Sequence, residues 1–515
     1  MKLERATGVL LHPTSLPGPF GVGDLGPEAH RYLDWLKGAG VGWWQVLPLN
    51  PPGPGQSPYA ATSTFAGNTL LVSPELLVED ELLSPADLAH PPAFPEWTVD
   101  FEAVVPFKER LLEKAWTTFQ RKPPRGMDLA FAVFREANAS WLQDFALFAA
   151  LKRAHALLEW HEWPAELQGR VPAALSTWLA AHKQAVQYEE FCQFLLAKQW
   201  MALREHALRL SIKVLGDLPI FVALDSAEVW AHPELFQLDA SGQPRVVAGV
   251  PPDYFSETGQ LWGNPLYAWE QHARTGYQWW IDRIKATLRM VDAVRLDHFR
   301  GFAANWEVAG DAETAMHGRW VPGPGRELFA AVGAALGDLP LVAEDLGVIT
   351  ADVEALRDGL GLPGMAVLQF GFTPNPRSTF LPYCHRKNLV VYTGTHDNNT
   401  TLGWFQCDAS PGEQDLLRRY AGSDGHEVHW DMIRLALSSV ADLAVVPHQD
   451  IAGLGADCRM NTPGLAEGNW RFRITPWMLS EQHQSRLAGL SWVYGRSPEA
   501  RATHRPSQPV KGYLE

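Results

Sequence analysis

The chain has 515 residues, of which 46% are hydrophobic and 20% are charged. This length exceeds one average domain of about 100 to 200 residues, so we expect a large barrel with insertions or two to three domains. The 43 Lys and Arg residues against 58 Asp and Glu residues give a formal net charge of −15, which disfavours nucleic acid and anionic membrane surfaces as partners.

The amino-terminal segment, Met1 to Thr7, carries no apolar stretch of signal-peptide length, and no run of about 18 apolar residues follows it. We therefore expect a cytoplasmic enzyme. The cysteines lie too far apart in sequence for a zinc pattern, so we expect reduced core thiols without disulfides and no metal site. They are Cys192, Cys384, Cys407 and Cys458.

Eight short aliphatic runs end in polar, Gly or Pro residues, a pattern typical of buried parallel strands followed by functional loops. Most spacings between these runs fit one βα unit, and the two longest require insertions after strands two and three. We therefore predict an α/β protein, a (β/α)8 TIM barrel with large insertions. The runs begin near Thr7, Gly42, Ile212, Val291, Leu339, Gly364, Leu389 and Leu443.

The first insertion, about residues 75–207, contains helical signals such as Trp141, Phe145 and Phe148 at i, i+4 and i+7, which predict a mostly helical subdomain. The second insertion, about residues 225–275, is dominated by turn residues and predicts an ordered active-site loop over one barrel face.

The end of the chain from Arg496 onwards lacks apolar periodicity and is predicted to be a loosely held tail. We assign residues 1–500 to a single catalytic barrel and residues 501–515 to the C-terminal tail.

Acidic residues end four of the predicted strands, where the reactive groups of such barrels are found. Asp217 ends strand three, Asp297 strand four, Glu344 strand five and Asp397 strand seven. One such residue could cap a helix. Because burying an unpaired carboxylate costs several kcal/mol, four together require bound cations, hydrogen bonds or a shared chemical function.

Two of these carboxylates have different sequence neighbours. Arg295 lies two residues before Asp297, on the same side of the strand, so we predict that it lowers the pKa of Asp297, as suits a nucleophile. Glu344 lies beside Asp345, so we predict a raised pKa, as suits a general acid. Two carboxyl groups about 5 to 5.5 Å apart perform retaining glycoside chemistry.

Four segments resemble the signature regions of the amylomaltase family, the bacterial 4-α-glucanotransferases of glycoside hydrolase family 77 in the α-amylase clan. The resemblance covers almost the whole chain, from Leu11-His12-Pro13-Thr14-Ser15 to Gly468-Asn469-Trp470, and leaves only the C-terminal tail outside. The segments are GDLPIFV at 216–222, RLDHFRG at 295–301, AEDLG at 343–347 and GTHDN at 394–398.

The resemblance implies a retaining 4-α-glucanotransferase that moves α-1,4-glucan segments between maltooligosaccharides or starch chains such as amylose. The reaction would pass through a covalent glycosyl-enzyme intermediate and need no cofactor. Asp297 is then implied as the nucleophile, Glu344 as the acid/base, and Asp397 as the carboxylate that stabilises the transition state.

The resemblance also implies a set of substrate-binding residues. The loop from Gly249 to Tyr267 would partly cover the active site, and Tyr59 would form a stacking floor for a sugar ring. One departure matters: many relatives carry Gly-Tyr-Gly-Asp where this chain has Gly53-Pro54-Gly55-Gln56, so neither an aromatic contact nor an accessory glucan site that depends on that tyrosine is implied here. The implied binding residues are Tyr59, Asp217, Asp253, Phe255, Trp262, Arg295, His298, His396 and Asn469.

Three other functions remain open at the level of sequence. An α-amylase-type hydrolase would use the same three carboxylates, and only the covering loop and its aromatic residues favour transfer. A barrel enzyme could hold Mg²⁺ with Asp217, Asp297 and Glu344, although Arg295 would repel the cation. A noncatalytic sugar-binding barrel would not need several buried acids.

Overall fold

The computed structural model describes residues 3–252, 257–375 and 377–503. The described strands are β1 Ala6–Leu10, β2 Trp43–Gln45, β3 Lys213–Pro219, β4 Val246–Val250, β5 Gln260–Pro265, β6 Ala293–Asp297, β7 Ala304–Ala309, β8 Gly318–Pro322, β9 Leu341–Ala343, β10 Gly364–Val367, β11 Leu389–Tyr392 and β12 Leu443–Pro447.

Eight of these strands form one parallel sheet in the order β10-β11-β12-β1-β2-β3-β6-β9. The backbone N–H of Ala343 in β9 donates to the carbonyl of Pro363, just before β10, at 2.9 Å, so the two end strands meet and nearly close the sheet. Each strand lies at one of the eight predicted positions, which confirms the (β/α)8 barrel. These strands are buried almost throughout, which explains their continuous apolar runs.

Helices cover the barrel and build the first insertion, in which α2 to α7 lie between β2 and β3. Phe145 and Phe148 of α5 are buried, as their helical spacing predicts. The described helices are α1 Pro27–Gly38, α2 Pro74–Glu79, α3 Phe101–Arg121, α4 Met127–Ala137, α5 Ala139–Ala154, α6 Ala165–Gln168, α7 Pro172–Arg209, α8 Ala227–Ala231, α9 Trp269–Arg274, α10 Gln278–Met290, α11 Gly325–Leu336, α12 Ala351–Gly359, α13 Thr401–Gly403, α14 Pro411–Ala421, α15 Val428–Ser438, α16 His448–Ile451, α17 Glu481–Val493 and α18 Pro498–Thr503.

The second insertion is built on strands and not only on turns. Its strands β4 and β5 pair antiparallel and join β7 and β8, which follow β6, in a four-stranded sheet ordered β5-β4-β7-β8. We call this the insertion sheet. Sequence analysis did not predict β7 and β8, because their apolar residues pack in a small separate cluster around Val247 and Val308 and give no barrel-strand pattern.

The chain just beyond α17 is anchored to the barrel, so the prediction of a loose tail from Arg496 is wrong for residues 496–500. Arg496 is fully buried and donates to five backbone carbonyls near the amino-terminal ends of β1 and β12. This anchor is polar, so apolar periodicity could not reveal it. Residues 504–515 of the predicted tail lie outside the described residues.

The four cysteines, all within the described residues, are free. Cys192 and Cys458 are buried as expected, whereas Cys384 and Cys407 are exposed and are therefore not core thiols. Both exposed cysteines lie outside the barrel strands, where no sheet packing covers them. Among the helices of the described residues, none has the length and apolar character needed to span a bilayer.

Candidate active site

The four predicted carboxylates meet at the carboxyl-terminal end of the barrel. Asp217 lies opposite Arg295 in the pairing of β3 with β6, and Leu296 lies opposite Ala343 in the pairing of β6 with β9. The next pair in this register is Asp297 and Glu344. The N–H of Glu344 donates to the carbonyl of Leu296 and the N–H of Phe299 donates to the carbonyl of Glu344, each at 3.1 Å, so the pairing continues past the strand ends. Adjacent strands lie about 4.8 Å apart, so the two acids occupy neighbouring positions.

Arg295 is the cation at the centre of these acids. Its buried guanidinium lies 2.7 Å from the Oδ2 of Asp217 and 2.9 Å from the Oδ1 of Asp297. Asp217 also accepts from the Nε of Arg295 at 3.0 Å and from the hydroxyl of Tyr59 at 2.6 Å. Asp217 therefore fixes both Arg295 and Tyr59, while Asp297 keeps a side chain that is 30% exposed towards the cleft.

Tyr59 forms a flat surface beside the acids. Its ring stacks on that of His396, with centroids 4.9 Å apart and planes 11° apart, and its hydroxyl accepts from Arg295 at 3.2 Å. A tyrosine ring held from both its edge and its face is a preformed platform for a sugar ring.

Both oxygens of Glu344 accept backbone hydrogen bonds. The N–H of His298 donates to Oε2 at 2.8 Å and the N–H of Leu346 donates to Oε1 at 2.9 Å. His298 adopts a left-handed backbone conformation with φ of 51°, which is uncommon for a residue with a side chain. Its ring meets that of Trp262 edge-on at 4.6 Å, and burial lowers the pKa of His298 to about 3, so the ring is neutral.

Asp397 is held in place by its neighbour His396 and by two residues that lie far away in sequence. Asn461 donates from Nδ2 to the Oδ1 of Asp397 at 2.6 Å, and the Nε2 of His396 lies 3.3 Å from the same oxygen. Arg459 donates to the backbone carbonyl of Asp397 at 2.5 Å. The carboxylate therefore has one oxygen engaged and belongs to a rigid part of the site.

Asp450, which is 1% exposed, holds both ends of the loop that carries His396 and Asp397. It accepts from the hydroxyl of Thr393 at 2.5 Å and from the N–H and the hydroxyl of Thr401, each at 2.7 Å. We call the segment from Thr393 to Thr401 the catalytic loop. Asp450 follows β12, so the eighth barrel strand braces the loop that follows β11.

Burial raises the pKa of both Asp297 and Glu344, and Arg295 opposes that effect on each. The upward direction for Glu344 agrees with the prediction from sequence. For Asp297 the predicted lowering is wrong, because burial and the nearby carboxylates of Asp217, Glu344 and Asp397 together outweigh the ion pair with Arg295. One guanidinium among four carboxyl groups leaves the site able to hold a proton near neutral pH.

Of the remaining predicted binding residues, the structure describes Trp262 and Asn469. Trp262 lies in β5 beside His298 and is 37% exposed. Asn469 closes its own loop, because its Oδ1 accepts from the N–H of Thr462 at 2.9 Å and its Nδ2 donates to the carbonyl of Leu465 at 2.8 Å. Asp253 and Phe255 lie outside the described residues.

Sequence analysis missed Trp470, Asn461, Arg459 and Asp450. The ring of Trp470 lies 5.8 Å from that of Tyr59 and 5.9 Å from that of His396. Trp470 belongs to the segment Gly468-Asn469-Trp470, which resembles the family, so the sequence could have indicated it. Asn461, Arg459 and Asp450 carry no such signal, because only the folded chain brings them to the catalytic loop.

The residues that the structure describes contain no group of three or more His, Cys, Asp or Glu side chains arranged to hold a metal ion. The guanidinium of Arg295 lies between Asp217 and Asp297, where a shared cation would have to bind. The geometry therefore suits chemistry performed by the carboxyl groups themselves.

Comparison with known proteins shows the family of the chain. A family model described as 4-alpha-glucanotransferase matches residues 11–480. The 4-alpha-glucanotransferase of Thermus thermophilus is 50% identical over 499 residues, which cover 95% of this chain and 99% of the relative. That of Synechocystis sp. is 48% identical over 497 residues, covering 96% and 98%.

Among solved structures, the amylomaltase from Streptococcus agalactiae in complex with acarbose superposes with a TM-score of 0.93 at 37% identity. The match covers 96% of this chain and 100% of the amylomaltase. The family model, the relatives and the fold thus agree, and the chain belongs to the 4-alpha-glucanotransferase family of enzymes.

Proposed function

We propose that this enzyme is a retaining transferase that moves α-1,4-glucan segments from one maltooligosaccharide or starch chain to the 4-hydroxyl of another. The observation that carries the proposal is the pair of Asp297 and Glu344 at neighbouring positions of adjacent barrel strands. The amylomaltase from Streptococcus agalactiae was solved with acarbose, which supports a glucan-like ligand at this site.

In the first step the carboxylate of Asp297 attacks the anomeric carbon and the bond from that carbon to the leaving oxygen breaks. Glu344 gives its proton to that oxygen, so the reducing-end part of the donor chain leaves with a free 4-hydroxyl while the other part stays bound to Asp297. The side chain of Asp297 is 30% exposed, which leaves it accessible to a sugar, and Arg295 contacts its Oδ1 and favours the charged form.

In the second step the 4-hydroxyl of an acceptor chain attacks the same carbon. Glu344, now ionised, takes the hydroxyl proton and the bond to Asp297 breaks, which restores both groups. Positive charge develops on the sugar ring in both transition states, and the carboxylate of Asp397 is placed to stabilise it.

The insertion sheet favours transfer over hydrolysis. Its strand β5 places Trp262 beside His298, whose N–H holds Glu344, so an exposed aromatic ring lies next to the acid/base. An aromatic surface there would bind an acceptor sugar and leave less space for water.

Incubation with maltotriose separates the two activities. Transfer converts maltotriose into glucose and longer oligomers while the number of reducing ends stays constant. A steady rise of reducing ends that matches the cleaved bonds would show a hydrolase and contradict the proposal.

The substrate-binding set predicted from sequence, including Asp253 and Phe255, is part of this proposal. The single-barrel assignment of residues 1–500, the cytoplasmic location, and the lack of a cofactor or a nucleic acid partner also stay predictions.

A further inference from the structure

Arg283 of α10 is a buried cation close to the active site. It is 1% exposed, and its guanidinium carbon lies 5.3 Å from the ring centroid of Trp279 and 4.8 Å from that of Trp280. Together with Tyr59 and Phe221 it lines a cavity of about 10 Å³, which has room for no more than one water. Arg283 therefore lies behind the residues of the cleft and does not itself contact a glucan.

The guanidinium donates to three separate segments of the chain. Its Nε donates to the hydroxyl of Thr64 at 2.7 Å, in the loop that follows β2. At the end of β3, Nη2 donates to the carbonyl of Pro219 at 2.6 Å and Nη1 to that of Ile220 at 2.9 Å. Nη1 also donates to the hydroxyl of Tyr267, just after β5, at 3.1 Å. One side chain thus joins two barrel loops to the base of the insertion sheet.

The charge of Arg283 makes these contacts difficult to give up. All four acceptors are uncharged oxygens, and a guanidinium cannot lose its proton to avoid the cost of burial. The hydroxyl of Tyr267 also donates to the carbonyl of Ile220 at 2.7 Å, which closes a ring of hydrogen bonds. A displaced segment would leave a buried charged donor without its acceptor, so the three segments keep fixed relative positions.

Two of these segments carry aromatic rings beside the acid/base. Phe221 follows Ile220, and its ring centroid lies 6.3 Å from that of Trp262 and 6.2 Å from that of His298. The N–H of His298 in turn holds Glu344. We call the rings of Phe221, Trp262 and His298 the acceptor surface. A shift at the end of β3 or at the base of β5 would move this surface relative to Glu344.

The acids have supports of their own. Arg295 contacts Asp217 and Asp297, and Tyr59 donates to Asp217. None of these contacts passes through Arg283. Loss of the Arg283 contacts should therefore disturb the acceptor surface while the nucleophile stays in place.

We propose that Arg283 is a positioning residue that holds the acceptor surface in place and so favours attack by a sugar hydroxyl over attack by water. The inference rests on the proposed function, in which the second step is transfer to an acceptor chain. A displaced acceptor surface binds the acceptor less well and leaves space for water next to Glu344. Arg283 thus acts on the second step of the reaction and not on the first.

Two substitutions weaken these contacts to different degrees. Arg283→Lys keeps the positive charge but loses the planar group that reaches three segments. Tyr267→Phe removes only the hydroxyl between Arg283 and Ile220 and keeps the ring, so it decides the question if Arg283→Lys does not fold.

Each variant has a matched control. Arg204→Lys alters an arginine that contacts Asp292 through two nitrogens at 2.5 and 2.8 Å, at the amino-terminal end of β6. Tyr277→Phe removes a hydroxyl that donates to Glu327 at 3.4 Å. Neither control residue contacts the three segments through a hydrogen bond in the described part of the chain.

The main readout is the number of reducing ends formed per maltotriose bond cleaved. Unfolded enzyme lowers both quantities in proportion, so a purely structural defect leaves this ratio unchanged. We expect Arg283→Lys to raise the ratio several-fold and Tyr267→Phe to raise it less, with both controls equal to the parent.

A second readout separates the two steps. With α-maltosyl fluoride as donor and glucose as acceptor, the KM for glucose should rise about fivefold in Arg283→Lys, the effect of losing about one hydrogen bond. Single-turnover release of fluoride, which reports the first step, should stay as fast as in the parent.

Three results would overturn the inference. They are a ratio equal to that of the parent in the folded variants, an equal rise in the controls, and fluoride release that slows as much as maltotriose turnover. Reducing ends that match the cleaved bonds in the parent enzyme would instead refute the proposed function, before any variant is compared.

Discussion

At the scale of single residues, Arg295 connects the acids with the ring of Tyr59. Its planar guanidinium contacts Asp217 through two nitrogens and also contacts Asp297 and Tyr59, an arrangement that a lysine ammonium could not reproduce. Asp217, which is predicted to bind substrate, commits one oxygen to Arg295 and Tyr59. It therefore also positions those two residues, and its contact with substrate stays a prediction.

The raised pKa of Glu344 predicts the alkaline side of the pH profile. Glu344 must be protonated to assist departure of the donor chain, and burial extends the protonated form to higher pH than is usual for a glutamate. We expect kcat/KM for maltotriose to fall with rising pH only above the pH range in which a glutamate side chain usually loses its proton.

An α-glucosyl fluoride is the control for this assignment, because fluoride leaves without a proton. With that donor the alkaline fall of kcat/KM should disappear. The same fall with both donors would assign it to another group.

At the scale of elements, the catalytic loop depends on the bracing carboxylate of Asp450. Asp450→Asn keeps the shape of the side chain but replaces an oxygen that accepts hydrogen bonds from Thr393 and Thr401 with an amide. We expect a loss of stability of about 1 to 3 kcal/mol together with a large fall in kcat, measured by denaturant unfolding and by maltotriose kinetics.

Glu228→Gln is the matched control, because Glu228 is also buried and accepts from the hydroxyl of Ser63 at 2.6 Å, away from the catalytic loop. This variant should lose stability without losing kcat in the folded enzyme. Equal effects of both variants on kcat would contradict a specific bracing function for Asp450.

The insertion sheet is the element to which we attribute the preference for transfer. Trp262→Ala should raise the proportion of hydrolysis several-fold, because it removes the aromatic surface next to Glu344 and admits water. The ratio of reducing ends formed to bonds cleaved measures this change. Leu261→Ala is the control, since Leu261 precedes Trp262, points to the opposite side of β5 and is equally 37% exposed.

Elements differ in how far the sequence predicts them. The barrel strands are predicted because each is buried on both faces and leaves a continuous apolar run. The strands β7 and β8 are not, because the insertion sheet has one small apolar cluster of its own and alternates polar with apolar residues.

At the scale of the whole molecule, Arg5 and Arg496 bring distant parts of the described chain together at the amino-terminal end of the barrel. Arg5 and Arg496 both donate to the carbonyls of Ser439 and Ala441. Arg496→Ala would remove five hydrogen bonds and the packing of a fully buried side chain, so we expect a loss of about 3 kcal/mol or more in the free energy of unfolding.

Denaturant unfolding measures this loss, and kcat/KM of the folded variant should not change because the site lies at the other end of the barrel. Arg486→Ala is the control, because its partner Glu427 is exposed and such pairs contribute below about 1 kcal/mol. Equal losses for the two variants would show that the carbonyl contacts of Arg496 contribute little.

The candidate site could be predicted from sequence only where its residues end barrel strands. Asp217, Asp297 and Glu344 follow apolar runs, so their convergence follows from the fold. Asn461 and Asp450 act through contacts with the catalytic loop that only the folded chain creates. The pKa of Asp297 was mispredicted for the same reason, since burial and distant carboxylates outweigh its neighbour in sequence.

The most direct test of the central claim is to trap the intermediate with a slow fluorinated α-glucosyl donor and to map the labelled peptide. The account predicts a single sugar bound to Asp297, and no label when Asp297 is replaced by Asn. A label on any other side chain, or turnover that inverts the anomeric configuration without trapping, would contradict it.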